Sequence, residues 1–196
     1  MSIWAILTVV FASGFVASVV AAARGRSTKF VGAVSFLIAI ACGWMWWSHV
    51  RLESRLAAAA SSVAGVEVHV DCQEPFFGEW FVTRGDGRVD ATSDGTMDEV
   101  AHLDRKVCSA AGSWPDDDTD DAFIGVHVLT HEAGHVRGER NEAATECWAT
   151  QHSAAVAEAL GASKAQAERR ARWYFNTVYP RMSSSYRDPA CTGPRP

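Results

Sequence analysis

No Asp, Glu, Lys or Arg occurs from Ile3 to Ala23, and none from Phe30 to Val50. Each uncharged run is about the length, near 20 residues, that crosses a bilayer as a helix. Neither run has a polar face, which weighs against both being core helices of a soluble domain. No Lys or Arg precedes the first run, which weighs against a cleaved signal peptide ending at Ala21-Ala22-Ala23. Basic residues are not in excess either: 18 Lys and Arg stand against 23 Asp and Glu, a formal net charge of -5. A mildly acidic chain without a basic face argues against nucleic acid as a partner. There is no internal repeat, and 196 residues fit one soluble domain plus a membrane segment.

Between the two runs lies the short basic loop Arg24-Gly25-Arg26-Ser27-Thr28-Lys29, and Trp44, Trp46 and Trp47 cluster at the end of the second. Two apolar spans around a cationic turn, with an aromatic belt, predict a transmembrane hairpin. The loop carries Arg24, Arg26 and Lys29, whereas Arg51 and Arg55 after the second span have Glu53 between them. That balance puts the loop in the cytoplasm and both termini outside. Cys42 lies inside the second span, leaving Cys72, Cys108, Cys147 and Cys191 for the rest of the chain. Four cysteines permit two disulfides in any of three connectivities, and disulfides belong to an extracytoplasmic domain.

Past the spans, the alanine-rich stretch 52–62 reads as a helical extension or linker. Residues 63–70 alternate apolar and polar side chains, as a half-buried strand does. Residues 78–83 and 89–92 predict two further strands, with Arg84-Gly85-Asp86-Gly87 as a turn. Residues 97–111 read as a helix with Val100, Leu103 and Val107 on one stripe. Residues 114–121 form a polar loop with five aspartates, whose spacing matches no calcium loop, so solvated acids are expected there. A helix capped by Asp120 or Asp121 then runs to Arg137, where Gly138 ends it. Asn141 caps a following helix from Glu142 to about Leu160, and Ser163-Lys164-Ala165-Gln166 is a capping box for a last helix. The tail from Arg181 is expected to be tethered through Cys191.

The informative motif is His131-Glu132-Ala133-Gly134-His135. Histidines four apart stand one turn apart on a helix face, so both rings can reach one Zn²⁺. Glu132 points about 100° around the helix, where a general base for a metal-activated water belongs. The stripe Val126, Leu129, Ala133 and Val136 faces the other way and predicts the buried back of the helix. His127, one turn earlier, is expected as a core or supporting histidine.

A catalytic zinc wants three protein ligands and an open position. Asn141 stands where metzincin proteases carry His or Asp, and asparagine is a poor substitute. The segment from His131 to His135 with Glu142-Ala143-Ala144-Thr145-Glu146 resembles the gluzincin metallopeptidases. In that clan a glutamate on the next helix is the third ligand, and an acid four positions later supports a histidine. Motif order therefore makes Glu142 the ligand and Glu146 the supporter. A tight antiparallel hairpin centred near Glu139 and Arg140, at about 1.5 Å per residue, instead puts Glu146 level with the midpoint of the histidines. On that geometry Glu146 is the preferred ligand and Glu142 the alternative.

The resemblance implies an α+β chain. A two-pass membrane hairpin over 1–51 and a helical linker over 52–62 would precede a small zincin-like domain over 63–196, built from a short antiparallel sheet and helices. It implies zinc as cofactor, a peptide or protein as substrate, and Glu132 as general base. Tyr174, Tyr179 and His152 are candidates for the oxyanion donor that such hydrolysis needs. The strand 78–83 is a candidate cleft edge for an extended substrate. The alternative is a catalytically inactive zincin-fold interaction protein of the cell envelope.

Overall fold

The computed structural model describes residues 2–25, 27–73, 87–92 and 96–194. In chain order the elements are α1 (Ile3–Ala23), α2 (Lys29–Ala64), β1 (His69–Cys72), β2 (Gly87–Ala91), β3 (Met97–Leu103), α3 (Arg105–Ser113), α4 (Asp120–Val136), α5 (Glu142–Ala159) and α6 (Lys164–Thr177). Single 3-10 turns follow at Tyr179–Arg181 and Ser184–Tyr186. The chain is thus α+β, mostly helical with a small sheet, and it divides into two compact units, Met1–Arg51 and Leu52–Pro196. The expected strand at 78–83 lies outside the described residues.

In the first unit, α1 and the start of α2 are both long and apolar enough to cross a membrane. Only 6% of the first apolar window and 11% of the second is buried. Small residues let the two helices approach: the Cα of Gly32 faces Ser18, and Thr28 Oγ1 donates to the Ser18 carbonyl at 2.8 Å. Phe15 and Phe36 add a ring contact at 5.0 Å between centroids.

The second unit begins inside α2. Residues 52–62 are not a linker: Leu56, Ala59 and Ala60 are buried in the core. Burying that face ties these turns to the domain, and two side chains complete the attachment. Arg55 donates to the carbonyls of Gly112 (3.2 Å), Trp114 (2.5 Å) and Leu160 (2.8 Å). Glu53 Oε1 accepts from the Cys72 N–H at 2.9 Å. The helix continues through Ala64, so the strand expected at 63–70 starts only at His69, with Val70 and Cys72 facing the core.

Asp104 divides the next segment. Its side chain accepts from the Lys106 N–H at 2.7 Å and starts α3 there. Residues 97–111 are therefore a strand followed by a helix, not one helix. Leu103 and Val107 are both buried, but on different elements. The strand is held from both sides, in the sheet order β1-β3-β2. β1 pairs with β3 in parallel and β2 pairs with β3 antiparallel, so the sheet is mixed where an antiparallel one was expected.

Thr119, not Asp120 or Asp121, caps α4, accepting from the Ala122 N–H at 3.2 Å. The two aspartates occupy the first turn, where negative charge suits the helix dipole. Val126, Leu129 and Ala133 are fully buried behind the histidine face, and Val136 is packed at the edge of the core. Asn141 caps α5 and Ser163 caps α6, each through a side-chain oxygen. Trp114, expected in a solvated loop, is a fully buried indole. It donates to the Ala157 carbonyl at 3.1 Å and meets Phe123 edge-on. In that loop Asp118 pairs with Arg169 and Arg170, and Asp120 pairs with Arg170, so both face the guanidinium groups of α6. Two disulfides close the unit, Cys72–Cys108 between β1 and α3 and Cys147–Cys191 between α5 and the tail.

Candidate metal centre

Helix α4 presents His131 and His135 on one face, and the α4–α5 turn fixes how the second ring lies. Gly138 has φ of +102°, a conformation that costs glycine little. The chain reverses there, and the Glu139 carbonyl comes to lie 2.8 Å from His135 Nδ1. A carbonyl can only accept, so Nδ1 of His135 carries the proton. His131 Nδ1 lies 2.8 Å from Glu146 Oε2 and donates to that carboxylate.

With both Nδ1 atoms committed as donors, the two Nε2 atoms converge at 3.1 Å. Glu142 Oε2 completes a triangle, 3.1 Å from His131 Nε2 and 3.4 Å from His135 Nε2. Two imidazole lone pairs and a carboxylate oxygen at this spacing repel unless a cation lies among them. A tetrahedral site with bonds of about 2.0–2.1 Å has ligand–ligand edges of about 3.3–3.4 Å. The observed triangle is close to one face of such a site. Among the described residues, His131, His135 and Glu142 are the group of His, Cys, Asp or Glu side chains placed to share one ion.

Electrostatics agree with that geometry. Burial disfavours a charge on His131, yet the Glu146 hydrogen bond and the charges of Glu146, Glu132 and Glu142 raise its pKa above the usual imidazole value. The gap attracts positive charge, whether as a proton or as a metal competing with it. Burial likewise pushes the Glu146 carboxyl up, but His127 and His131 outweigh it and hold it well below the carboxylate range.

Glu146 is thus on the far side of His131 from the triangle, and the preference for it as ligand is corrected in favour of Glu142. The Glu146 carboxylate bridges His127 and His131, whereas Glu142 bridges His131 and His135, the place that the hairpin spacing had given to Glu146. Glu146 Oε1 also accepts from His127 Nε2 at 2.9 Å and from the Tyr174 hydroxyl at 3.0 Å. His127 is buried and supports from behind, as the sequence suggested.

Glu132 lies beside the triangle in a cleft of about 330 Å³ that is also lined by Gly87, Val89, Ala91, Met97, Arg140 and Tyr186. Burial is the main cause that pushes its pKa up to about 7, with His131 lowering it and Glu142 raising it. Its Oε2 is buried without a hydrogen-bond partner among the described residues.

None of the three expected oxyanion donors reaches this cleft. Tyr174 is spent on Glu146, the Tyr179 hydroxyl donates to the Asp188 carbonyl, and His152 Nδ1 donates to the Trp148 carbonyl. Tyr186 lines the cleft instead, its ring 5.9 Å from that of His131. The one sequence signal for it was indirect, since Cys191 leashes the tail to α5 beside Glu146. Comparison with known proteins finds no family model, no curated protein and no solved structure that matches this chain.

Proposed function

We propose that this chain is a membrane-anchored, zinc-dependent metallopeptidase of gluzincin type, with Glu142 as the third ligand. The observation that carries the reading is the triangle of His131 Nε2, His135 Nε2 and Glu142 Oε2, with edges of 3.1 to 3.4 Å. Two imidazoles and a carboxylate are the donor set of a catalytic zinc that keeps one position open. When bound there, zinc would lower the pKa of a water and polarise a carbonyl.

The chain's own groups divide the remaining work. Glu132 takes a proton from the attacking water and hands it to the leaving amine. The Tyr186 hydroxyl is the cleft group suited to donate to the developing oxyanion. Strand β2 lines the cleft through Gly87, Val89 and Ala91, and offers backbone to an extended peptide. Two disulfides in the second unit, together with the basic loop between the spans, favour an extracytoplasmic catalytic domain.

The test uses the full chain purified in detergent. It should hold about one zinc per chain and cleave peptides from a mixed library, and Glu132→Gln should abolish cleavage with zinc retained. Absence of zinc would refute the reading. Zinc without cleavage in the unaltered chain would favour the inactive, interaction-protein alternative.

A further inference from the structure

Behind His131 lies a buried set of groups that peptide hydrolysis does not use directly. Glu146 stands at its centre, 2% exposed, and accepts three hydrogen bonds. Oε2 takes the proton of His131 Nδ1, while Oε1 takes those of His127 Nε2 and the Tyr174 hydroxyl. His127 is 1% exposed and Tyr174 4%. Their rings stack with centroids 3.7 Å apart and planes 19° from parallel, so each fixes the other's orientation. A carboxylate oxygen can only accept, so the proton between His127 and Glu146 sits on Nε2.

A carboxylate with one bonded oxygen can rotate about its last torsion and swing its second oxygen away from a neighbour. Here Oε1 is pinned by donors from two helices, α4 and α6, so Oε2 has a single place to be. That place dictates the ring plane and tautomer of His131. We propose that His127 and Tyr174 are positioning residues: by gripping Oε1 of Glu146 they hold His131 with its Nε2 lone pair turned into the triangle. The proposal rests on the metal site proposed above, and adds that the site's affinity is set in part by two side chains that do not touch the ion. A partner that hydrogen-bonds a ligand directly, as Glu146 does, typically changes metal affinity by about 10–100-fold, and His127 and Tyr174 act through that partner.

The experiment compares the full chain in detergent with Tyr174→Phe, His127→Phe and His127→Gln. Phenylalanine keeps each ring and its stacking but removes the donor, and glutamine returns a donor amide. Zinc affinity is read by competition with a chelating dye, ligand-field geometry by the visible spectrum of the cobalt-loaded protein, and folding by thermal melting without metal. Tyr174→Phe and His127→Phe should each weaken zinc about tenfold and shift the cobalt bands, with His127→Gln recovering most of the loss. Melting shifts with unchanged zinc affinity and cobalt bands would overturn the proposal and leave a purely structural tie among helices. If the unaltered chain binds neither ion, the metal site itself fails and the proposal with it. Should the phenylalanine variants not fold, unchanged affinity and bands in a folded His127→Asn variant, whose shorter amide cannot reach Glu146, would equally refute it.

Discussion

Gly87 lies so close to Glu132 that a Cβ added at position 87 would stand 2.7 Å from the carboxylate Oε1 and 2.8 Å from Cγ. The strand edge and the proposed general base therefore fit only because position 87 has no side chain. Gly87→Ala should displace the carboxylate and lower kcat by about 100-fold, the scale on which a shift near 1 Å acts. Zinc content should be unchanged, because neither ring moves. Full activity in Gly87→Ala would show that Glu132 need not stay where it is.

Glu142 and Glu146 should separate cleanly when each is replaced. The Glu142 side chain is 43% exposed, so Glu142→Gln should strip the metal while leaving metal-free melting almost unaltered. Glu146→Ala leaves His127, His131 and Tyr174 buried around a missing acceptor, which should cost about 3 kcal/mol or more of metal-free stability. Denaturant titration beside zinc analysis checks both. Equal metal loss with equal destabilisation would contradict the assignment.

Stability of the metal-free protein should fall as pH rises from about 4.5 through about 7. In the unfolded chain Glu132 loses its proton at the ordinary carboxylate value, whereas the folded protein retains it until about pH 7. The folded state binds more protons over that window, so alkali favours unfolding. The raised pKa of His131 acts in the same direction, with its contribution fully present below the ordinary imidazole value and lost as pH rises. Glu146 acts oppositely, since its depressed pKa supports the fold above the ordinary carboxylate value and is lost in acid. Glu132→Gln should remove on the order of 3 kcal/mol of the decline. Melting in chelator from pH 4 to pH 8 tests this, and identical slopes for the two proteins would refute it.

Cys147 and Cys191 are 44 residues apart in sequence, and their bridge holds the tail that carries Tyr186. Cys191→Ser should cost about 4 kcal/mol by loop entropy. It should also lower kcat with zinc retained, as Tyr186, the proposed oxyanion donor, leaves the cleft. An unchanged kcat would mean that the tail's own contacts suffice.

Much of the helical framework was legible because its signals are local. The caps at Asn141 and Ser163, the stop at Gly138 and the buried stripe on α4 each depend on a few neighbouring residues. The sheet was not, because β3 gains its identity from β1 and β2, which lie elsewhere in the chain. Residues 97–103 considered alone satisfy helical spacing as readily as a strand. The choice between Glu142 and Glu146 failed for a related reason. Backbone spacing along a hairpin does not say which ring nitrogen each acid meets, because that depends on how the helices are rotated and where each side chain leans. Tyr186 gave no pattern at all, since only a distant cysteine brings it near.

Leu56, Ala59 and Ala60 carry a practical consequence for any soluble form of this protein. A chain that starts at Leu52 keeps all three, together with the other core residues of the second unit among those described. Trimming to position 63, where the apolar-polar alternation begins, would strip three buried residues and the Arg55 clamp, and the fragment would expose the core face they cover.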